Sequence, residues 1–302
     1  MLIDTASLSC TRRTCVSSAI VARYAGPHAH QGVFHLHRPC PAWQDASRYV
    51  MSLAELKQDI RKSANPAQAK NLMRFFKTGP GEYGEGDRFL GLTVPVQRGI
   101  ARRHCGLPAA DAEKLLKSKI HEERLVALML LLERYRRGGD VEREKVIRIY
   151  LANTAHVNNW DLVDLSAPGL LGAYLLDRDR EPLVGLARSA SVWERRIAIV
   201  STLTFIRAGD HGTTFEIAGL LLADGHDLIH KAAGWMLREA GKRDRDAEMR
   251  FLDLHAASMP RTMLRYAVEK FPEKLRRGYL NAGRVTTRAG ARPASRAGKK
   301  SR

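Results

Sequence analysis

An internal repeat in the middle of the chain constrains the fold more than any other feature. Four segments begin at His121, Asn158, Val192 and Ile229, and they read HEERLVALMLL, NNWDLVDLSAP, VWERRIAIVST and IHKAAGWMLRE. The steps between them are 37, 34 and 37 residues, so each step holds two helices of about a dozen residues, the size of a HEAT-like unit. No convincing strand alternation appears in this region. The spacing therefore predicts an all-α fold, an α-solenoid of HEAT-like helical repeats that forms a single curved domain with a concave face.

Helix start signals extend this pattern towards both ends of the region. Ser52 is placed to cap LAELKQDIRKSA, and Pro66 stands at the start of the next helical stretch. Three further prolines stand at positions typical of a first helical turn, namely Pro95, Pro108 and Pro260. One longer loop, GPGEYGEGDRFLG, spans Gly79 to Gly91; it lacks the Lys-Ser/Thr of a phosphate loop and is interpreted as a shaped surface loop.

Both ends of the chain differ in composition from the middle. Residues 1–50 mix Ser, Arg, His, Pro and Gly without periodicity, and we interpret them as a disordered leader or as sequence upstream of a true start at Met51. An Arg-containing, acid-poor leader could also mimic a transit peptide. Residues 51–281 form the predicted helical domain, and residues 282–302 are predicted to be a disordered basic tail.

The chain is strongly basic, with 50 Lys and Arg against 32 Asp and Glu and a net charge of +18. The basic excess persists when both ends are left out, so the folded region itself favours a polyanionic partner: nucleic acid first and an anionic membrane second. No apolar run is long enough to span a membrane, and the four cysteines form no CxxC pair. We expect a cytoplasmic protein without a disulfide framework and without membrane association.

Four reactive side chains fall at or near equivalent positions of the repeat. Trp160 and Asp164 are four residues apart and therefore share one helical face. Arg196 and Trp235 follow in the next two segments, so stacked repeats would bring all four to one surface. Singly, each has an ordinary interpretation, since a repeat tryptophan usually packs in the core and an aspartate can neutralise a neighbouring arginine. Their combination in a basic protein favours a functional site.

These same stretches resemble a known family. NNWDLVDLSAP, WERRIAIV and AAGWMLREAGK are similar in order and spacing to the AlkD-like DNA alkylation repair proteins, and KTGPGEYGEGDRFLGLTVPVQR resembles their N-terminal region. The resemblance covers roughly residues 52–280. It implies that the concave face of the helical repeats binds double-stranded DNA containing alkylated bases.

The resemblance also implies roles for individual residues. Asp164, Trp160 and Trp235 match the catalytic positions of the family, and Arg196 matches a position that would hold a DNA phosphate. Phe75 stands at an aromatic position that is commonly Tyr in the family, so its stacking surface is kept and the hydroxyl is absent. Further candidates for contacts with the DNA backbone are Arg98 and Arg238.

The implied activity is hydrolysis of the N-glycosidic bond of cationic N3- or N7-alkylated purines, of the 3-methyladenine and 7-methylguanine type. A cationic base already leaves readily, so the enzyme needs mainly to stabilise the developing sugar cation, which the Asp164 carboxylate can do. Tryptophan ring faces can attract the cationic nucleotide. The family works on a base that stays in the duplex stack, so we expect no base flipping. We also expect a monomeric enzyme that uses no cofactor.

Two other functions stay open. A family member could bind branched or damaged DNA without cleaving a glycosidic bond, although the presence of both Trp160 and Asp164 argues against this. A HEAT scaffold for another protein would need an acidic or apolar concave face.

Metal binding is the weaker interpretation of the histidines. His226 and His230 have the spacing of metal ligands, but no HExxH glutamate or third ligand accompanies them. A cluster near the N-terminus could bind zinc adventitiously; it comprises His28, His30, His35, His37 and Cys40. We predict no metal site.

Overall fold

The computed structural model describes residues 52–289, and every regular element in that range is helical. In chain order the α-helices are α1 (Leu53–Lys62), α2 (Pro66–Phe75), α3 (Val94–Arg103), α4 (Ala109–Leu116), α5 (His121–Arg137), α6 (Asp140–Ala152), α7 (Trp160–Ser166), α8 (Glu181–Ala187), α9 (Val192–Ser201), α10 (Leu203–Arg207), α11 (Gly212–Leu220), α12 (Asp227–Gly241), α13 (Arg245–His255), α14 (Arg261–Ala267) and α15 (Glu273–Ala289). A π-helical turn follows α7, and short 3₁₀ turns follow α6 and α14. The all-α prediction is confirmed.

The sequence signals for helix starts agree with the structure to within one residue. Ser52 caps α1 in a capping box, in which the Glu55 backbone N–H donates to Ser52 Oγ at 3.2 Å and the Ser52 backbone N–H donates to Glu55 Oε2 at 2.8 Å. Pro66 and Pro95 lie in the first turns of α2 and α3. Two further prolines precede their helices by one residue and occupy the N-cap position instead, namely Pro108 and Pro260.

The repeat segments correspond to real helices. α5 begins at His121 and α9 at Val192, as the repeat spacing predicts. α7 begins at Trp160 and α12 at Asp227, each two residues from the start of its predicted segment. The single curved domain and its concave face stay predictions.

The contacts divide the described residues into two compact units, with the boundary between Thr204 and Phe205. In the first unit α5 is the central helix, because its residues from His121 to Leu132 are buried and α3, α4, α6 and α7 pack around it. A helix that is buried on all its faces must be surrounded by other elements. α7 packs against both α5 and α9, which places the N-terminal turn of α7 beside the start of α5.

In the second unit α12 packs most extensively against α14, with α11 and α13 beside it. Gly234 lies where α12 meets α14, and a Cβ atom there would stand 2.4 Å from the backbone oxygen of Met263. This close approach requires glycine, since any side chain would push the two helices apart.

The C-terminal boundary differs from the one that the sequence predicts. α15 continues to Ala289, so residues 282–289 are helical although the sequence assigned them to the tail. The rest of the predicted tail, the predicted leader with Met51 and the N-terminal His/Cys cluster lie outside the described residues. No helix in the described range is both long and apolar enough to cross a membrane.

A buried carboxyl group in the second unit makes the stability depend on pH. Glu248 on α13 is 1% exposed, and its side chain lies directly against Gly241. Burial raises the pKa of Glu248 to about 8, from an ordinary value of 4.5. Between these two values the unfolded chain releases the proton and the folded chain retains it. The free energy of unfolding contributed by this group therefore falls as the pH rises from 4.5 to about 8.

Glu248→Gln is expected to stabilise the protein at pH 8 by about 4 kcal/mol and to change its stability little near pH 4, because the amide does not ionise. Urea denaturation at both pH values measures the difference. Glu216→Gln, at an exposed position on α11, is the matched control and should be neutral at both. An equal effect of Glu248→Gln at both pH values would show that this carboxyl group ionises normally in the fold.

Candidate functional site

Trp160 and Asp164 occupy successive turns at the start of α7. The Asn159 side chain caps this helix, with its Oδ1 accepting the Trp160 backbone N–H at 2.8 Å. Both Trp160 and Asp164 are partly exposed, while Leu162 and Val163 between them are fully buried. The structure therefore places the indole and the carboxylate on one accessible face, as their spacing predicts.

Asp164 forms a bidentate ion pair with Arg196 of α9. Arg196 Nε donates to Asp164 Oδ1 at 2.9 Å, and Arg196 Nη2 donates to Oδ2 at 2.8 Å. The arginine side chain is 7% exposed and the aspartate side chain 20%. Burial raises the pKa of Asp164, and the adjacent guanidinium opposes that shift by favouring the carboxylate form.

This ion pair gives Arg196 a contact within the protein that the sequence did not assign to it. In the structure its guanidinium holds the Asp164 carboxylate, and the contact with a DNA phosphate stays a prediction. The ordinary interpretation, an aspartate that neutralises a neighbouring arginine, describes this contact correctly. Arg196 thus fixes the orientation of the carboxylate that faces the accessible side of α7.

Aromatic rings from the end of α2 pack against Trp160. Phe75 is 63% exposed, and its ring centre lies 5.9 Å from that of Trp160 in an edge contact. Phe76 is buried beneath, 5.2 Å from Trp160 and stacked on Phe89 at 5.2 Å. Phe75 therefore presents a largely exposed ring beside Trp160.

The predicted loop from Gly79 to Gly91 contributes a residue that the sequence did not single out. The hydroxyl oxygen of Tyr83 accepts the indole N–H of Trp160 at 3.3 Å, and the Tyr83 ring meets Trp193 edge-on at 6.1 Å. The sequence carried a signal for this contact, because Tyr83 lies between Gly81 and Gly84 in a largely polar loop, where a large aromatic ring tends to pack against other residues.

His121, the first residue of α5, is the second functional candidate that the sequence did not indicate. Its Nδ1 lies 3.1 Å from Asp87 Oδ2, and its Nε2 lies 2.8 Å from Asp161 Oδ2. Asp87 also accepts a bond of 2.7 Å from Arg124 Nη2. A buried network of alternating charge therefore joins the loop, α5 and the residue that follows Trp160.

The loop itself is anchored by a second buried carboxylate of α5. Glu122 accepts the backbone N–H groups of Leu90, Gly91 and Leu92 at 2.8 to 3.3 Å. Gly91 has a φ of 90°, and a Cβ atom there would stand 2.1 Å from the backbone oxygen of Asn65. The loop is thus fastened to α2 and α5, which gives Tyr83 a defined position beside Trp160.

A family model for DNA alkylation repair enzymes matches residues 56–271, which is more than half of the chain. The chain belongs to the DNA alkylation repair enzyme family. Among solved structures, it is similar to a "predicted DNA alkylation repair enzyme" from Enterococcus faecalis, with a TM-score of 0.56 and 17% identity. That likeness covers 70% of this chain and 98% of the other, and it shows the shared fold. A search of curated proteins finds no match.

In this DNA alkylation repair family member, two of the predicted site residues belong to the second unit. Trp235 is partly exposed on α12, and its indole N–H donates to Glu239 Oε1 at 3.2 Å. Arg238 forms ion pairs with Glu239, at 3.4 Å, and with Glu269. Two carboxylates therefore offset the charge of Arg238, which makes it a weak candidate for a DNA backbone contact.

The remaining predicted residues of this repair family member are also located. Arg98 lies on α3 and is exposed. His226 caps α12, because its Nδ1 accepts the Leu228 backbone N–H at 3.1 Å, and His230 bonds to the backbone oxygen of Asp224. Within residues 52–289, no group of three or more potential ligands is arranged to hold a metal ion.

Proposed function

We propose that this protein is a DNA glycosylase that hydrolyses the N-glycosidic bond of cationic N3- or N7-alkylated purines in double-stranded DNA. The observation that carries the proposal is the accessible face of α7, where the Asp164 carboxylate is held by Arg196 one turn from Trp160. Membership of the DNA alkylation repair enzyme family supports a role in the repair of alkylated DNA.

The chemistry requires a fixed negative charge more than a strong acid. A purine alkylated at N3 or N7 is already a cationic leaving group, so its glycosidic bond breaks without much protonation. The sugar then develops the character of an oxocarbenium ion, which a nearby carboxylate stabilises. Asp164 suits this role, because the bidentate pair with Arg196 fixes both carboxylate oxygens before the substrate arrives, and the same oxygens can orient the attacking water.

Aromatic surfaces beside the carboxylate suit a positively charged substrate. Trp160 and the open face of Phe75 can each contact the cationic nucleotide, and a cation–π contact contributes about 0.5–2 kcal/mol depending on desolvation. Trp235 of the second unit is proposed as a further aromatic contact. The proposed reaction uses no cofactor, leaves the base in the duplex stack and is performed by a monomer in the cytoplasm.

A rival function is supported by one observation. The Asp164–Arg196 pair has the geometry of an ordinary structural ion pair, so the same face could bind damaged DNA without cleaving a bond. The two functions differ in their product, since only the glycosylase releases a free base.

Incubation of the purified protein with methylated duplex DNA tests the proposal. We expect release of 3-methyladenine and 7-methylguanine, identified by mass, at a rate above that of the same DNA without enzyme. Unmethylated duplex is the matched control and should release no base. Tight binding of methylated duplex without any released base would favour the rival function.

A further inference from the structure

His121 occupies a position that only one of its protonation states can satisfy. The side chain is 2% exposed, and its two ring nitrogens face the carboxylate oxygens Asp87 Oδ2 and Asp161 Oδ2 at 3.1 and 2.8 Å. An ionised carboxylate only accepts hydrogen bonds, and a neutral imidazole donates from one nitrogen alone. Both contacts are therefore hydrogen bonds only when the ring is an imidazolium.

The surrounding charges favour that state. Arg124 on α5 pairs with Asp87 at 2.7 Å, so the cluster of two carboxylates and one guanidinium is neutral overall when His121 carries a positive charge. Burial lowers the pKa of His121, but the bonds to Asp161 and Asp87 outweigh burial and raise it above 6.5. Although burial raises the pKa of Asp87, its hydrogen bonds to His121 and Arg124 and their positive charges hold it below its usual range.

The hydrogen bonds of His121 to Asp87 and Asp161, which we call the bridge, connect the elements that surround Trp160. Asp161 follows Trp160 in the first turn of α7, and Asp87 belongs to the loop that carries Tyr83. Phe76 contacts both His121 and Trp160, with its ring centre 5.1 Å from that of His121 and 5.2 Å from that of Trp160. Loss of either bond to His121 would leave the first turn of α7 joined to the loop by the bond between Trp160 and Tyr83 but not through His121.

We propose that His121, as an imidazolium bridging Asp87 and Asp161, is a positioning residue that holds Trp160 and Asp164 in the geometry needed for base excision. The proposal rests on the proposed glycosylase function. His121 does not touch the substrate; it acts through α7 and the loop. Deprotonation removes one of the two bonds and leaves an imidazole lone pair facing a carboxylate, which is repulsive, so the first turn of α7 shifts. Excision therefore slows as the pH rises through the raised pKa of His121.

The bridge is tested first by NMR titration of the His121 ring nitrogens in the full-length protein without DNA. We expect both nitrogens to be protonated at pH 7 and to lose a proton only above the ordinary histidine range. Circular dichroism over the same pH range checks that the protein stays folded. A neutral ring at pH 7 would overturn the bridge.

The positioning role is tested by single-turnover excision on methylated duplex across the same pH range, with the enzyme-free rate subtracted. We expect the wild-type rate to fall about tenfold or more as His121 loses its proton, because small misplacements of reacting groups slow catalysis steeply. A rate that does not follow the NMR titration would show that His121 is structural only.

Asp161→Asn provides the decisive variant, because an amide can accept a bond from imidazolium or donate one to neutral imidazole. The ratio of high-pH to low-pH rates should therefore be closer to one than in the wild type. Asp246→Asn, which makes the same charge change at an exposed position on α13, should keep the wild-type profile. The excision rate of His121→Gln should be low and independent of pH. If this variant fails to fold, the comparison of Asp161→Asn with the wild type still tests the positioning role.

Absence of base release at every pH would overturn the proposed function, whereas the NMR titration would still show whether His121 is protonated in the bridge.

Discussion

Asp164→Asn is expected to release cationic alkylated purines about 100-fold more slowly than the wild type while binding the lesion duplex as tightly or more tightly. A carboxylate that faces DNA is repelled by phosphates and so opposes simple binding. The same charge stabilises the developing sugar cation, by about 3 kcal/mol if Asp164 acts like other transition-state contacts. Affinity and rate should therefore move in opposite directions, which single-turnover excision and equilibrium binding on one duplex measure separately.

Two comparisons make the Asp164 result specific. Asp246→Asn changes the net charge equally and should leave the excision rate at the wild-type value. Trp235→Ala should lower both affinity and rate, because an aromatic ring would contact the duplex before and during the reaction. If Asp164→Asn excises cationic bases at the wild-type rate, the carboxylate is structural and the glycosylase proposal loses its central residue.

Arg196→Met is expected to reduce excision by 100-fold or more and to lower the free energy of unfolding by about 3–5 kcal/mol. The substitution removes the guanidinium that holds Asp164 and leaves a largely buried carboxylate without this counter-charge. DNA affinity should change much less than the rate, because Arg196 directs its fork into the protein. Denaturant unfolding measures the free energy of unfolding, single-turnover excision measures the rate, and binding at several salt concentrations measures DNA affinity.

The double variant Asp164→Asn/Arg196→Met is the internal control for the ion pair. It should recover part of the stability that Arg196→Met loses, since no buried carboxylate is then left unpaired. Arg196→Lys keeps the charge but lacks the planar fork, so it should fall between the wild type and Arg196→Met in rate. A large loss of affinity with a shallower salt dependence in Arg196→Met would instead support the contact between Arg196 and a DNA phosphate that the sequence suggested.

Local sequence rules predicted the accessible face of α7 correctly. Trp160 and Asp164 share that face because four residues make about one helical turn, and this holds wherever the helix packs. The capping box of Ser52 and the proline-led starts of α2 and α3 could be predicted because these signals involve residues close together in the sequence. The end of α15 was predicted too early, because low apolar content argues against burial but does not prevent a helix from continuing.

The partners of the site residues lay beyond those rules. Arg196 was placed near Asp164 by the repeat, yet its fork could have pointed outward to a phosphate or inward to a carboxylate, and only the packing of α9 on α7 decides this. The bridge of His121 spans 34 and 40 residues of sequence, and the contact of Tyr83 with Trp160 spans 77. The repeat aligns helices that lie 34 to 37 residues apart, but it does not predict which side chains of neighbouring helices form a hydrogen bond.

The sequence by itself determined the helical class, the starts of several helices to within two residues, and which side chains share one face of α7. The tertiary structure alone decided which charges meet: Asp164 with Arg196, and His121 with Asp87 and Asp161. The physical reason is that helix formation and facing follow from hydrogen bonds and side-chain spacing within a few residues. Ion pairs and protonation states instead depend on burial and on distances of a few ångströms between distant segments, which exist only after the helices have packed.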